Sequence, residues 1–450
     1  MDLTTTPLLT DLYQLNMMQA YLETGRMQTA VFEFFVRRLP GRRGFLMAAG
    51  LEQVVEFLES VRFSPEELAW LKTTGRFSDA FIGWLASLRF NGDVDAMPEG
   101  TLFFQDEPIV RVVAPLPVAQ LVETRVINIL HYQTLAASKA ARMVLAAPGK
   151  LMVDFGLRRA HGAEAGLMAA RASYIAGFAG TATTLAGMRW GVPLFGTMAH
   201  SFIQSFDDEM EAFEAFARAR PKNLVLLIDT YDTEEAARKV VELAPRLQQA
   251  GVRISGVRLD SGDLIKLSRS VRRILDEGGL KDTTIFASGG LDEEDLIAFA
   301  KAKAPIDGYG MGTSLTTSSD VPALDCAYKL EEYAGLPRRK RSQGKATWPG
   351  RKQVWRRYGP DGLIAGDVIS TEHDRQEGAP LLHAVMRGGE RIHPLPELAA
   401  IRAHAAEELL RLPELLRQLE PHAYPVEIAP SLRKLAEDVD RRMAHQEATA

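Results

Sequence analysis

From residue 151 onward, short unbroken apolar runs alternate with amphipathic stretches of ten or more residues. The runs are LMVDFG (151–156), YIAGFAG (174–180), VPLFG (192–196), NLVLLID (223–229), ISGVRLD (254–260), TTIFASGG (283–290) and IDGYGMG (306–312). Strands that are apolar on both faces and alternate with helices form parallel sheets with helical crossovers. Seven such strands are one short of a closed eight-stranded barrel. The pattern therefore predicts an α/β fold, an irregular parallel (β/α) barrel of seven to eight strands. A doubly wound open sheet is the alternative.

The flanks have a different texture. TDLYQLNMMQAYLETG reads as a helix ending at Gly25, AVFEFFVRRLPG as a strand running into a turn, and GLEQVVEFLESV as a helix. Pro98 to Pro117 reads as short strands, and Val118 to Ala147 as a long helix. Helical patterns return at about 396–419 and 430–445. The expected layout is an α+β domain over 1–117, the barrel over 118–330, and a region over 331–450 that packs on the N-terminal domain.

Composition narrows the class. The chain has 450 residues, 46% hydrophobic and 25% charged, with a net charge of −5. That balance does not suit a nucleic-acid binder. Cys326 is the single cysteine, which rules out an internal disulfide and a cysteine-built zinc site. The N-terminus lacks a signal-peptide pattern, and no apolar run nears the roughly 18 residues needed to span a bilayer. The expectation is a soluble cytoplasmic protein, without membrane or nucleic-acid partners. One stretch, Leu336 to Tyr358, carries nine basic residues, two tryptophans and no acid. It is expected to be a solvated hairpin or a wall facing substrate phosphates.

Polar and glycine residues crowd the strand ends. They are Arg158, Arg159 and His161; Thr181; Thr197 and His200; Asp229 and Asp232; Arg258, Asp260 and Asp263; Ser288, Gly289 and Gly290; and Gly310, Gly312 and Thr313. Barrels and open parallel sheets both build their sites at the carboxyl ends of strands. Thr230 or Asp232, and Asp292, read better as helix caps. The paired glycine loops FASGG and YGMGTS suit a phosphate, because backbone amides at a helix N-terminus can approach it closely. No P-loop or dinucleotide fingerprint is present. In VRLDSGDL, strand alternation puts Arg258 and Asp260 on one face. The arginine suits a planar carboxylate. Asp260 or Asp263 suits a cationic sugar centre, or Mg²⁺ held through water; an ion pair bracing the rim is the other reading. No residue is assigned as a direct metal ligand. His200 suits either a nucleophile or a group that orients a neighbour.

TDLYQLNM, FEFFVRRLP, DFGLRRAHG, GFAGTATTLAG, GTMAHSF, IDTYDT, GVRLDSGDL, FASGGLDE, DGYGMGTSL and PGRKQV follow one another between residue 10 and about 356. In these stretches the chain resembles the nicotinate phosphoribosyltransferases, of the type II phosphoribosyltransferases. The resemblance implies that nicotinate and phosphoribosyl pyrophosphate give nicotinate mononucleotide and pyrophosphate, in NAD biosynthesis. It also implies coupled ATP hydrolysis, Mg²⁺ and a homodimer. His200 would be the histidine that ATP phosphorylates. Tyr13 and Arg258 would contact nicotinate, with Thr197 close by, and the tyrosine would reach across the dimer. Phe155 would stack on the ring, and Arg158 would bind phosphate. Gly289, Gly290, Gly312 and Thr313 would take the ribose 5-phosphate, with Ser288 also among the substrate-binding residues, and Asp260 the sugar or metal. Ala182 stands where nicotinamide-using relatives have Asp, which favours a carboxylate substrate. GTATTLAG departs from the Ser and Asn that many relatives carry after the GT. The alternatives are a nicotinamide or quinolinate transferase, or a non-catalytic barrel that binds phosphate ligands.

Overall fold

The alternating runs form one parallel sheet. In the computed structural model, which describes residues 6–449, its strands are β1 (Leu151–Asp154), β2 (Gly180–Thr181), β3 (Leu224–Leu227), β4 (Ile254–Leu259), β5 (Thr284–Ala287) and β6 (Gly308–Met311). They pair in the order β2-β1-β6-β5-β4-β3, every ladder parallel. The first and last strands are neighbours, so the sheet curls back on itself as a half-barrel. A parallel bridge from Thr181 to Leu194 adds one more position beside β2. Among the described residues no ladder joins that position to β3, and the ring stays open there.

The expected seven to eight strands are therefore corrected to six strands and a bridge. Two runs fall short for local reasons. Tyr174 and Ile175 of YIAGFAG complete helix α1 (Ala163–Ile175), which Gly177 terminates at φ +119°. Only Gly180–Thr181 of that region is strand. VPLFG contributes just the Leu194 bridge. Gly180 makes this approach possible, since a Cβ there would lie 2.1 Å from the Pro193 carbonyl oxygen.

The following helices are α2 (Thr184–Trp190), α3 (His200–Gln204), α4 (Glu209–Ala219), α5 (Thr233–Gln249), α6 (Leu264–Glu277), α7 (Glu293–Lys301) and α8 (Thr313–Thr317). Leu264, Ser268, Val271 and Leu275 form the buried face of α6, at the spacing a 3.6-residue period requires. Asp232 caps α5 by accepting from the Glu235 N–H at 2.8 Å, and Asp292 forms a capping box with Asp295 on α7. Asp263 caps α6 by accepting from the Lys266 N–H at 3.0 Å. This cap engages one oxygen of Asp263.

The chain divides into two compact units. One comprises Lys139–Pro322, and the other the residues up to Ser138 with those from Ala323 onward. The second unit interleaves both ends of the chain. Its largest sheet runs Leu336–Pro337, Cys326–Tyr333, Thr29–Val36, Val110–Pro115, Asp93–Ala96, His383–Arg387, Glu390–Arg391. Lys352–Tyr358 lies in another sheet, beside Ile364–Thr371.

The basic stretch 336–358 is thus divided between two sheets, and the single solvated hairpin is corrected. Many of its cations pair with acids, among them Arg339 with Asp440, Arg351 with Glu332, Lys352 with Glu33, Arg356 with Asp367 and Glu408, and Arg357 with Glu427. Arg356 is fully buried. All of these acids lie outside the stretch, and Glu33, Glu408, Glu427 and Asp440 are far from it in sequence, so the local count of charges was misleading. No helix among the described residues is long and apolar enough to cross a membrane.

Candidate active site

Strand β4 delivers Arg258 and the residues after it to the open end of the sheet. Arg258 donates from Nε to the Ser288 hydroxyl at 2.9 Å and from Nη2 to Asp260 Oδ1 at 2.7 Å. Its Nη1 lies 3.3 Å from both the Thr197 hydroxyl and the Met198 carbonyl oxygen. The guanidinium carbon stands 5.6 Å from the centre of the Phe155 ring, within cation–π range. Strand alternation thus puts Arg258 and Asp260 on one face, as their i, i+2 spacing requires.

Asp260 gains a further bond from the Ser288 hydroxyl. Burial pushes its carboxyl up, but the bonds from Ser288 and Arg258, with the charge of Arg258 and the nearby His200, outweigh this and hold it below the ordinary carboxylate value. The Asp260 N–H and the Ser261 hydroxyl both donate to Asp229 Oδ2, at 3.0 and 2.6 Å. The other oxygen, Asp229 Oδ1, is buried without a hydrogen-bond partner.

His200 is the first residue of α3. Its Nδ1 is 3.1 Å from the Thr230 hydroxyl, and its Nε2 is 3.9 Å from Asp260 Oδ2. Its side chain is 38% exposed. The sequence pattern offers Thr230 as a cap for α5, but Asp232 takes that role and frees the hydroxyl for His200. The pairing spans two loops, 30 residues apart, and no local pattern signals it.

A cavity of about 530 Å³ opens beside this cluster. Phe155, Leu157, Arg158, Ala182, Thr197 and Arg258 are among its walls. The lining residue Phe155 follows Asp154, which sequence reasoning passed over. That buried carboxylate accepts from the Gly156 N–H at 2.8 Å and from the Thr181 hydroxyl at 2.6 Å, tying the loops that carry Phe155 and Ala182. Burial raises its pKa, and those two bonds oppose the rise. A buried strand ending in an acid was the available signal.

Gly289 and Gly290 follow Ser288 with φ of +107° and +76°. Gly312 and Thr313 begin α8. Tyr13 is on the helix Leu12–Glu23 in the unit built from the chain ends, and is 48% exposed. The structure therefore gathers Phe155, Arg158, Thr197 and Arg258 around one cavity, and links Arg258 to Asp260 and Ser288, with His200 facing Asp260. Tyr13 belongs to the other unit.

Known proteins resemble this chain along most of its length. Three domain families match in chain order: the nicotinate phosphoribosyltransferase N-terminal domain over residues 8–131, the nicotinate phosphoribosyltransferase family over 151–335, and the C-terminal domain over 375–436. A nicotinate phosphoribosyltransferase of Mycobacterium tuberculosis is 50% identical over 431 residues, covering 96% of this chain and 92% of the relative. One from Bacillus subtilis is 37% identical, covering 93% and 92%. The crystal structure of human nicotinic acid phosphoribosyltransferase superposes with a TM-score of 0.86 at 31% identity, covering 96% of this chain and 99% of that one. On the combined weight of fold, motif order and length-wide identity, the chain belongs to the nicotinate phosphoribosyltransferase family.

Proposed function

We propose that this chain joins nicotinate to phosphoribosyl pyrophosphate, forming nicotinate mononucleotide and pyrophosphate for NAD biosynthesis, with ATP hydrolysis coupled through a phosphorylated His200. The observation that carries the substrate is Arg258 in the wall of a cavity bounded also by the Phe155 ring and the small Ala182 side chain. A guanidinium, a flat ring and an uncharged neighbour suit an aromatic carboxylate. Asp in place of Ala182 would set a negative charge beside that carboxylate.

In this reading the pyridine nitrogen attacks C1 of the sugar, the new N–C1 bond forms, and the bond from C1 to the pyrophosphate oxygen breaks. Positive charge builds on the sugar in the transition state. Asp260, kept ionised by Arg258 and Ser288, is the fixed negative charge that favours it. The amides around Gly289, Gly290, Gly312 and Thr313 take the 5-phosphate, with Arg158 beside them. When bound, Mg²⁺ would supply positive charge to offset that of the departing diphosphate. One or two carboxylates beside substrate phosphates suffice to hold it, and Asp229 Oδ1, buried and unpartnered, is an oxygen able to serve. Tyr13 belongs to this reading as a nicotinate contact supplied across a homodimer.

For His200, Thr230 occupies Nδ1, which leaves Nε2 to attack the terminal phosphorus of ATP as ADP departs. The phosphoryl group would then arrive beside Asp260, so its charge acts directly on the Arg258–Asp260 pair.

The test is product formation from nicotinate, phosphoribosyl pyrophosphate and Mg²⁺, with and without ATP, in wild type and His200→Ala. Nicotinate mononucleotide made faster with ATP, with the stimulation lost in the variant, is the expected result. Turnover indifferent to both ATP and His200 would remove the phosphohistidine and keep the transferase. No product from nicotinate would end the substrate assignment.

A further inference from the structure

The sequence groups Ser288 with the glycines after it, as part of a phosphate loop. Its contacts in the fold point elsewhere. We propose that Ser288 is a positioning residue that fixes which edge of the Arg258 guanidinium meets the nicotinate carboxylate, and thereby sets selectivity for a carboxylate ring. This deepens the substrate assignment above and rests on it.

Ser288 ends β5 beside β4 and is only 3% exposed. Its oxygen accepts from Arg258 Nε at 2.9 Å and donates its proton to Asp260 Oδ1. Asp260 Oδ1 in turn accepts from Arg258 Nη2 at 2.7 Å. The three groups close a triangle. Nε and Nη2 form the side edge of the guanidinium, one of the two edges that hold a carboxylate bidentately. Here that edge is filled by Ser288 and Asp260. The remaining N–H groups are those of Nη1, held loosely at 3.3 Å by Thr197 and Met198, and the second N–H of Nη2. A substrate carboxylate has only this end edge to use, and Thr197 and Met198 are the groups already lining the cavity there.

A serine hydroxyl suits this place because one oxygen must accept and donate at once. Alanine leaves Arg258 Nε without a partner and lets the guanidinium pivot about its Asp260 contact. The buried hydroxyl, committed to two side chains, has no proton left to offer a phosphate.

The experiment compares wild type, Ser288→Ala and Ser288→Thr by steady-state kinetics for nicotinate, phosphoribosyl pyrophosphate and nicotinamide, with thermal melting of each as a control on folding. Ser288→Ala is expected to raise the KM for nicotinate about tenfold or more, a larger factor than the accompanying fall in kcat from the bond Asp260 loses, with the KM for phosphoribosyl pyrophosphate unchanged and discrimination against nicotinamide reduced. Ser288→Thr, which keeps the hydroxyl, is expected to recover the nicotinate KM wherever its melting matches wild type. A rise confined to the KM for phosphoribosyl pyrophosphate would overturn the proposal and return Ser288 to the phosphate loop. So would an alanine variant with wild-type constants, or one whose melting falls while its KM values hold. Wild type that fails to use nicotinate would instead overturn the substrate assignment itself, a separate outcome.

Discussion

Gly289 and Gly290 look interchangeable in sequence, yet the structure predicts different costs for placing alanine at each. At Gly289 a Cβ would sit 2.0 Å from the Asp260 carbonyl oxygen and 2.9 Å from its carbonyl carbon, with φ at +107°. Ordinary carbon–oxygen contact needs more than about 3 Å, so the Asp260 backbone must retreat by about 1 Å, and a displacement of that size at a reacting group costs about 100-fold in rate. At Gly290 a Cβ meets nothing within 4 Å, and only the left-handed φ of +76° carries a cost, about 1–2 kcal/mol. That corresponds to a fall in Tm of roughly 2–8 °C for a unit of this size. Gly289→Ala is therefore expected to lose about 100-fold in kcat/KM for nicotinate. Gly290→Ala is expected to lose stability with kcat/KM within about threefold. Steady-state kinetics and calorimetry on the two proteins measure both quantities. Equal catalytic losses would refute the argument, because they would mean the loop acts through its amides alone and not through its contact with Asp260.

Three further outcomes follow from the same geometry. Ala182→Asp puts a carboxylate in the cavity wall; repulsion at about 5 Å and an effective dielectric near 20 costs about 3 kcal/mol, so kcat/KM for nicotinate should fall about 100-fold relative to nicotinamide, and an unchanged ratio would show that position to be irrelevant. Burial pushes the Glu331 carboxyl up to about 8, with Lys352 opposing and Glu33 adding to the rise. Because the unfolded chain gives up this proton near pH 4.5 and the folded chain keeps it, stability falls as pH rises from about 4.5 to about 8. Glu331→Gln should raise Tm relative to wild type at pH 8 and change it little at pH 5; a constant difference across that range would contradict the assignment. Arg356→Met strands the buried Asp367 and Glu408, to which Arg356 donates at 2.7 and 2.8 Å, and should cost about 3–5 kcal/mol in denaturant unfolding. A loss under about 1 kcal/mol would mean the two acids find other partners.

Much of this protein was determined locally. The alternation of apolar runs is enough for a parallel sheet with crossovers, because a strand covered on both faces must be apolar throughout. Asp232, Asp263 and Asp292 cap helices through amides two or three residues away, and such bonds need no tertiary information. The i, i+2 pairing of Arg258 with Asp260 follows from the strand itself, and the motifs from TDLYQLNM to PGRKQV carried the family. What the tertiary structure decided are the contacts between chain segments far apart in sequence. Thr230 serves His200 because β3 and β4 bring Asp229, Thr230 and Asp260 to the same rim. Ser288 reads as a phosphate-loop residue until β5 sets it against Arg258. The run at 174–180 passes for a strand by composition, but helix α1 claims its first residues and Gly177 turns the chain before Gly180 can pair. The basic stretch 336–358 looks like one solvated surface until acids from residues 33, 332, 367, 408, 427 and 440 converge on it. Periodicity and capping act over a few residues and are written in the chain. A buried charge or a shared hydroxyl is meaningful only once its partner, tens to hundreds of residues away, has been folded beside it.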